Sequence, residues 1–77
     1  MPKRIYVGNV SPDTTEFQVK TAFSRYGRVE SIQRVDRSSM IVVMSTGGDD
    51  AISRLNGVSL GGRMLNVNEA RPREGGG

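Results

Sequence analysis

The feature that most constrains this chain is the alternation of two hydrophobic periods along its 77 residues. Apolar residues recur at every second position in a strand and at every third or fourth position in a helix. Here the periods follow one another in the order strand, helix, strand, strand, helix, strand. This order predicts an α+β fold of the ferredoxin-like split βαβ type, a four-stranded antiparallel sheet with both helices on one face.

Capping residues and apolar stripes predict where the two helices lie. Thr15 and Gln18 form a capping-box pattern at the start of the first helix. We expect that helix to end at Gly27, where a left-handed cap costs little. Its apolar stripe consists of Val19, Ala22, Phe23 and Tyr26. The second helix follows the acids Asp49 and Asp50 and has a stripe of Ala51, Ile52 and Leu55.

The strands are predicted within residues 4–10, 29–35, 40–44 and 64–68. Because crossovers are right-handed, the first and third strands become neighbours in the middle of the sheet. Met40 and Met44 are expected to fill space on the inward side of the third strand. The alternation of the second strand also places Arg34 on the inward side. Either its side chain extends along the sheet to solvent, or the strand changes register at this residue.

The face of the sheet opposite the helices is predicted to be open and to carry an aromatic ring beside a cation. Ile5 and Val7 point to the core, so Arg4 and Tyr6 point the other way. Such a pair suits a flat, anionic partner. The other outward positions are predicted to be Gly8, Gln33, Val35, Ser39, Ile41, Val43, Met64, Asn66 and Asn68.

Composition restricts the class of function. The net charge is +3 and nine of the eleven cations are arginine, which favours an anionic partner. The chain has no histidine and no cysteine. We therefore predict no catalytic site, no metal site and no bound cofactor. The lack of cysteine and of a long apolar run predicts a cytoplasmic protein without a membrane segment.

Several stretches together resemble the RNA-recognition motif family. Residues 5–10 match the pattern apolar, aromatic, apolar, any residue, asparagine, apolar, and residues 22–27, 51–57 and 60–67 are similar to further family stretches. The resemblance implies one such domain over residues 1–70. The ending is similar to that of small bacterial members with a glycine-rich tail, and its composition predicts a flexible tail at residues 71–77.

The second motif of the family departs from its usual pattern here. That eight-residue motif corresponds to residues 37–44, and the two aromatic positions that stack on bases in family members are Ser39 and Ile41. A stacked base contributes about 1 to 3 kcal/mol on alanine substitution. The loss of two rings therefore predicts RNA binding in the micromolar range or weaker.

The function predicted is binding of single-stranded RNA, or of single-stranded DNA, across the open face. Tyr6 stacks on one base, and a second base rests on Ile41 and Val43. The remaining predicted contacts are amides or hydroxyls for base edges and arginines for phosphates: Gln33, Ser39, Asn66, Asn68, Arg4, Arg71 and Arg73. Alternatively, Asn66 and Asn68 are polar residues of a solvent-exposed surface without a role in binding. Arg71 and Arg73 are alternatively part of a solvated chain end that contacts no RNA.

A second interpretation is a protein-interaction or self-association module. Val35, Ile41, Val43 and Met64 form with Tyr6 an apolar patch on the predicted open face, where the family usually has rings and polar groups. Contiguous exposed apolar surface usually indicates a protein partner, which here is either another protein or a second copy of the chain.

Overall fold

Strands and helices follow one another in the predicted order, with one additional short hairpin. The computed structural model describes residues 2–70, so the predicted tail at 71–77 lies outside the described residues. The elements are β1 (Lys3–Gly8), α1 (Glu16–Ser24), β2 (Val29–Asp36), β3 (Ser39–Met44), α2 (Gly48–Leu55), β4 (Ser59–Leu60), β5 (Arg63–Met64) and β6 (Asn66–Glu69).

The main sheet has four antiparallel strands in the order β2-β3-β1-β6. β1 and β3 are therefore the central pair, as the handedness argument predicts. In the register of this pair, Ile5 lies opposite Val42 and Tyr6 lies opposite Ile41. The arrangement confirms the α+β split βαβ class.

The core lies between the sheet and the two helices. Ile5 and Val7 of β1 are fully buried, and so are Val19 and Phe23 of α1. The rest of the buried cluster is Val10, Met40, Val42, Met44, Ala51, Leu55, Leu65 and Val67. Both methionines of β3 thus fill the inward side of the sheet, as predicted.

The capping box at the start of α1 is confirmed. The Thr15 hydroxyl accepts a hydrogen bond from the backbone N–H of Gln18 at 3.2 Å, and the Gln18 carboxamide oxygen accepts one from the N–H of Thr15 at 2.8 Å. Both bonds satisfy amides that have no partner within the helix.

The prediction of a left-handed cap at Gly27 is wrong. α1 ends at Ser24, its C-cap Arg25 has right-handed helical angles, and Gly27 does not have a positive φ. A Cβ on Gly27 would instead overlap the carbonyl oxygen of Thr46, and one on Gly47 would overlap the carbonyl oxygen of Tyr26. The two backbone segments cross in contact, so glycine is needed at both positions because there is no room for a side chain.

The prediction of one last strand over residues 64–68 is also wrong. Met64 belongs to β5 and pairs with Ser59 of β4 in a separate hairpin. Leu65 separates the two strands because its N–H donates to Val58 and its carbonyl accepts from Gly57, at 2.9 and 2.8 Å. Pairing with β1 therefore begins only at Asn66, and Met64 is not an outward position of the main sheet.

Arg34 marks a register change at the end of β2. The pairing of β2 with β3 shifts between Arg34 and Asp36. The guanidinium donates to the carbonyl oxygens of Thr14 and Arg37, the latter at 2.9 Å. The charged head group therefore ties the segment before α1 to the β2–β3 turn, and this contact explains why an arginine is tolerated on the inward side.

Replacing Gly27 with alanine is expected to destabilise the fold by about 1 to 3 kcal/mol, because the new methyl group overlaps backbone atoms that cannot rotate away. Urea unfolding followed by circular dichroism measures the change. Ser53→Ala, at an exposed position of α2, is the control and should shift the free energy by less than about 0.5 kcal/mol. Equal midpoints for Gly27→Ala and wild type would contradict the backbone contact.

Candidate nucleic-acid interface

The open face of the sheet brings most of the predicted residues into two rows that run across the strands. The first row is Gln33, Ile41, Tyr6 and Asn68. The second row is Ser31, Val43 and Arg4. Asn66 lies beside Gly8 at the neighbouring position of β6. The central row therefore places an aromatic ring between an aliphatic side chain and an amide.

The Tyr6 ring leans along the sheet over Gly8. A Cβ on Gly8 would lie 2.8 Å from the ring carbon Cε2 and 3.2 Å from the hydroxyl oxygen. The Tyr6 hydroxyl is hydrogen-bonded to the hydroxyl of Ser39 at 2.8 Å. Tyr6 stays 38% exposed, whereas Ser39 is buried at 3%. The ring thus presents surface to solvent, and Ser39 faces the ring.

Aliphatic side chains cover the part of β3 next to Tyr6. Ile41 and Val43 are half-buried, and Ile41 is the direct cross-strand partner of Tyr6. Val35 of β2 is exposed. Val35 falls in the register shift of β2, so the pairing does not place it beside Tyr6. The surface of Ile41 and Val43 is apolar and partly wet, which suits a base resting flat on it as well as an apolar side chain of a protein.

The amide side chains of the face are available for a ligand. Gln33, Asn66 and Asn68 are exposed, and within residues 2–70 their carboxamides take part in no hydrogen bond. Asn68 lies beside Tyr6 in the register. A carboxamide both donates and accepts, so these groups are able to pair with base edges.

The two cations at the start of β1 differ in their environment. Lys3 forms salt bridges to Asp49 at 2.8 Å and to Glu69 at 3.5 Å, and its hydrogen bond to Asp49 raises the pKa of the ammonium. Arg4 is exposed and forms no salt bridge with another residue of the described part. Arg4 is therefore the cation that this face offers to a phosphate, whereas Arg71 and Arg73 lie outside the described residues.

Sequence reasoning missed the part that Gly8 and Asn9 play. Asn9 has a φ of 59°, and its side-chain amide donates to the carbonyl oxygen of Met64 at 2.8 Å. This bond ties the end of β1 to the β4–β5 hairpin. The signal was present as the Gly8-Asn9 pair at the end of the first strand, because glycine permits a close approach to the backbone and asparagine tolerates a positive φ.

Phe17 lies on the helical side of the molecule and is 75% exposed. With Tyr26, Val58 and Leu60 it lines an apolar groove on that side. It therefore has no part in the open sheet face.

Comparisons with known proteins identify the family. The sequence profile described as RNA recognition motif matches residues 5–42. The chain is 39% identical to RNA-binding protein RbpE of Nostoc sp., with 91% of this chain and 80% of that protein covered. The chain belongs to the RNA recognition motif family.

Other relatives and structures agree with this family. Glycine-rich RNA-binding protein RZ1B of Arabidopsis thaliana is 35% identical over 99% of this chain, which spans only 29% of the length of that protein. The crystal structure of RNA-binding protein PG1 has a TM-score of 0.84 and 28% identity, with 95% of this chain and 99% of that chain covered. The Rna15 RRM with bound GU RNA has a TM-score of 0.82 at 23% identity over 90% of this chain and 83% of that chain, which shows a common fold.

Within this RNA recognition motif domain, Asp36 organises the turn that leads into Ser39. Its carboxylate accepts a hydrogen bond from the backbone N–H of Ser38 at 2.9 Å, and this hydrogen bond lowers the pKa of Asp36.

In the part of the chain that the structure covers, no group of acidic side chains is arranged to hold a metal ion. Nor is any helix between residues 2 and 70 long and apolar enough to cross a membrane.

The Asp36 carboxyl is expected to titrate with a midpoint below 3.8, its ordinary value. A lowered pKa in the folded state stabilises the protein at pH values above the ordinary, unfolded pKa, and this contribution is lost as the pH falls through the folded pKa. A carbon-13 NMR titration of the side-chain carboxyl measures the midpoint. Asp36→Asn should lose less folding free energy than the wild type as the pH falls, because it has no carboxylate to protonate at this position. A midpoint at or above 3.8 would contradict the role of the Ser38 hydrogen bond.

Proposed function

We propose that this domain binds single-stranded RNA across the open face of its sheet. The observation that carries the proposal is the Tyr6 ring, exposed on the central strand of an RNA recognition motif domain. The names of the relatives in Nostoc and Arabidopsis describe RNA-binding proteins and support the same function. Single-stranded DNA has the same bases and phosphates and is the second ligand to be tested.

In the proposed complex one base stacks on Tyr6 and a second rests on Ile41 and Val43. The carboxamides of Asn68 and Asn66 pair with the edge of the first base, because they lie beside Tyr6 and Gly8 in the register. Gln33 pairs with the edge of the second base, because it lies next to Ile41 on the side away from Tyr6. Arg4 holds a phosphate, and we place Arg71 and Arg73 on phosphates as well.

We further propose that the protein acts by binding alone, without a catalysed reaction or a cofactor, and that it works in the cytoplasm. The absence of histidine and cysteine from the sequence supports the first point, and the lack of cysteine is typical of a reducing compartment. Docking of a protein partner, or of a second copy, on the apolar part of the sheet is the less favoured use of this face, because the relatives are named for RNA.

Tyr6→Ala is expected to weaken binding of a short single-stranded RNA by about 5- to 100-fold, because one base loses its stacking surface. Fluorescence anisotropy titrations at two salt concentrations measure this, with Phe17→Ala as the matched control. That control removes an aromatic ring that is more exposed but lies on the helical side. Wild-type binding should weaken as salt rises, since phosphate contacts release counterions.

Either of two results would contradict the proposed function: binding that does not respond to salt, or equal affinities for Tyr6→Ala and Phe17→Ala. Sedimentation of the free protein over a concentration series tests the interaction alternative. A monomer at all concentrations removes self-association as the use of this face.

Ile41→Phe is expected to strengthen RNA binding by about 5- to 100-fold. The substitution places a ring opposite Tyr6, at a position where family members stack a base. Val58→Phe is the control, because it adds the same ring beside the groove on the helical side. The same titration measures both variants. A folded Ile41→Phe variant that binds no more tightly than wild type would show that no base reaches β3.

A further inference from the structure

Ser39 stands at a position where the second family motif has an aromatic residue. It is the first residue of β3, and its side chain is buried at 3%. Its small size leaves space beside Gly8, and the Tyr6 ring extends into that space until the two hydroxyl groups meet at 2.8 Å. The ring of β1 therefore covers a part of the sheet that a third ring would otherwise cover.

Contacts on two sides hold the ring in this position. Gly8 supplies a surface without a Cβ, and a methyl group there would come within 2.8 Å of ring carbon Cε2. The hydroxyl of Ser39 fixes the far end of the ring. The ring therefore has contacts on two sides, whereas an exposed aromatic without such contacts changes rotamer within nanoseconds.

We propose that Ser39 is a positioning residue for the base stack: it holds the Tyr6 ring against Gly8 before RNA binds, in place of the direct RNA contact that the sequence predicts for it. This inference rests on the proposed function. Fixing the ring in advance reduces the ordering cost of binding, which is otherwise paid when the complex forms. It also leaves Ile41 and Val43 uncovered, so that a second base has a separate place to rest.

A double-mutant cycle of Tyr6→Phe and Ser39→Ala tests the proposal. Each variant loses one side of the same hydrogen bond, so each should bind RNA about 2- to 10-fold more weakly than wild type. The double variant should bind no more weakly than either single variant, because the second change removes nothing further. Losses that multiply in the double variant would overturn the proposal, since they would mean that the two groups act separately.

The rotamer of Tyr6 provides a readout that a purely structural role of Ser39 would not change. Three-bond couplings between Hα and Hβ should report one χ1 rotamer in the wild type and averaging in Tyr6→Phe and Ser39→Ala. Ser39→Thr keeps the hydroxyl and should restore both the single rotamer and the affinity. Weaker binding in Ser39→Ala with unchanged couplings would overturn the proposal, as would averaged couplings with unchanged affinity.

Tyr6→Ala separates failure of this inference from failure of the proposed function. If Tyr6→Ala loses binding while Tyr6→Phe and Ser39→Ala bind like wild type, RNA still stacks on the ring, and the positioning role of Ser39 is wrong. If Tyr6→Ala also binds like wild type, the proposed function is wrong and the inference falls with it. All titrations are made well below the unfolding midpoint of each variant, so that every sample is folded.

Discussion

The register of β1 is the constraint on which the rest of the structure depends. One side of this strand buries Ile5 and Val7 completely, and the other side exposes Tyr6. A shift of one residue would move the two aliphatic side chains to solvent and the tyrosine into the core. Complete burial of each aliphatic side chain stabilises the fold by about 1.5 to 3 kcal/mol. The hydrophobic effect on one face therefore fixes where the ring lies on the other.

Contacts at the ends of the strands keep this register in place. Asn9 ties the end of β1 to the carbonyl oxygen of Met64, and Asp36 holds the turn before β3 through the N–H of Ser38. The crossing of Gly27 and Gly47 sets the distance between the end of α1 and the start of α2. These groups lie at the ends of strands and helices, and each helps to place a strand that carries part of the open face.

The order of the elements, the core and the open face could be predicted because they follow from local periodicity. The capping box of Thr15 could be predicted for the same reason, since both partners lie in one turn. The close packing of Gly27 could not, because it comes from contact with Thr46, which is distant in sequence. The break before Asn66 could not either, because the apolar alternation of residues 64–68 runs through Leu65, where hydrogen bonds to Gly57 and Val58 replace pairing with β1. The contact between Tyr6 and Ser39 joins residues 33 positions apart, and only the register of β1 and β3 brings them together.

The open face is able to change without loss of the fold, because its side chains contribute little to the core. Ile41 and Val43 are only half-buried, whereas Met40, Val42 and Met44 on the other side of the same strand are buried. Loss of the family's rings from β3 therefore removes stacking surface but not the packing that sets the register. Ser39 differs from its neighbours in this respect, because it is buried and bonded to the one ring that remains on β1. A change at Ser39 alters the geometry of the remaining stacking site, whereas a change at Ile41 alters the number of such sites.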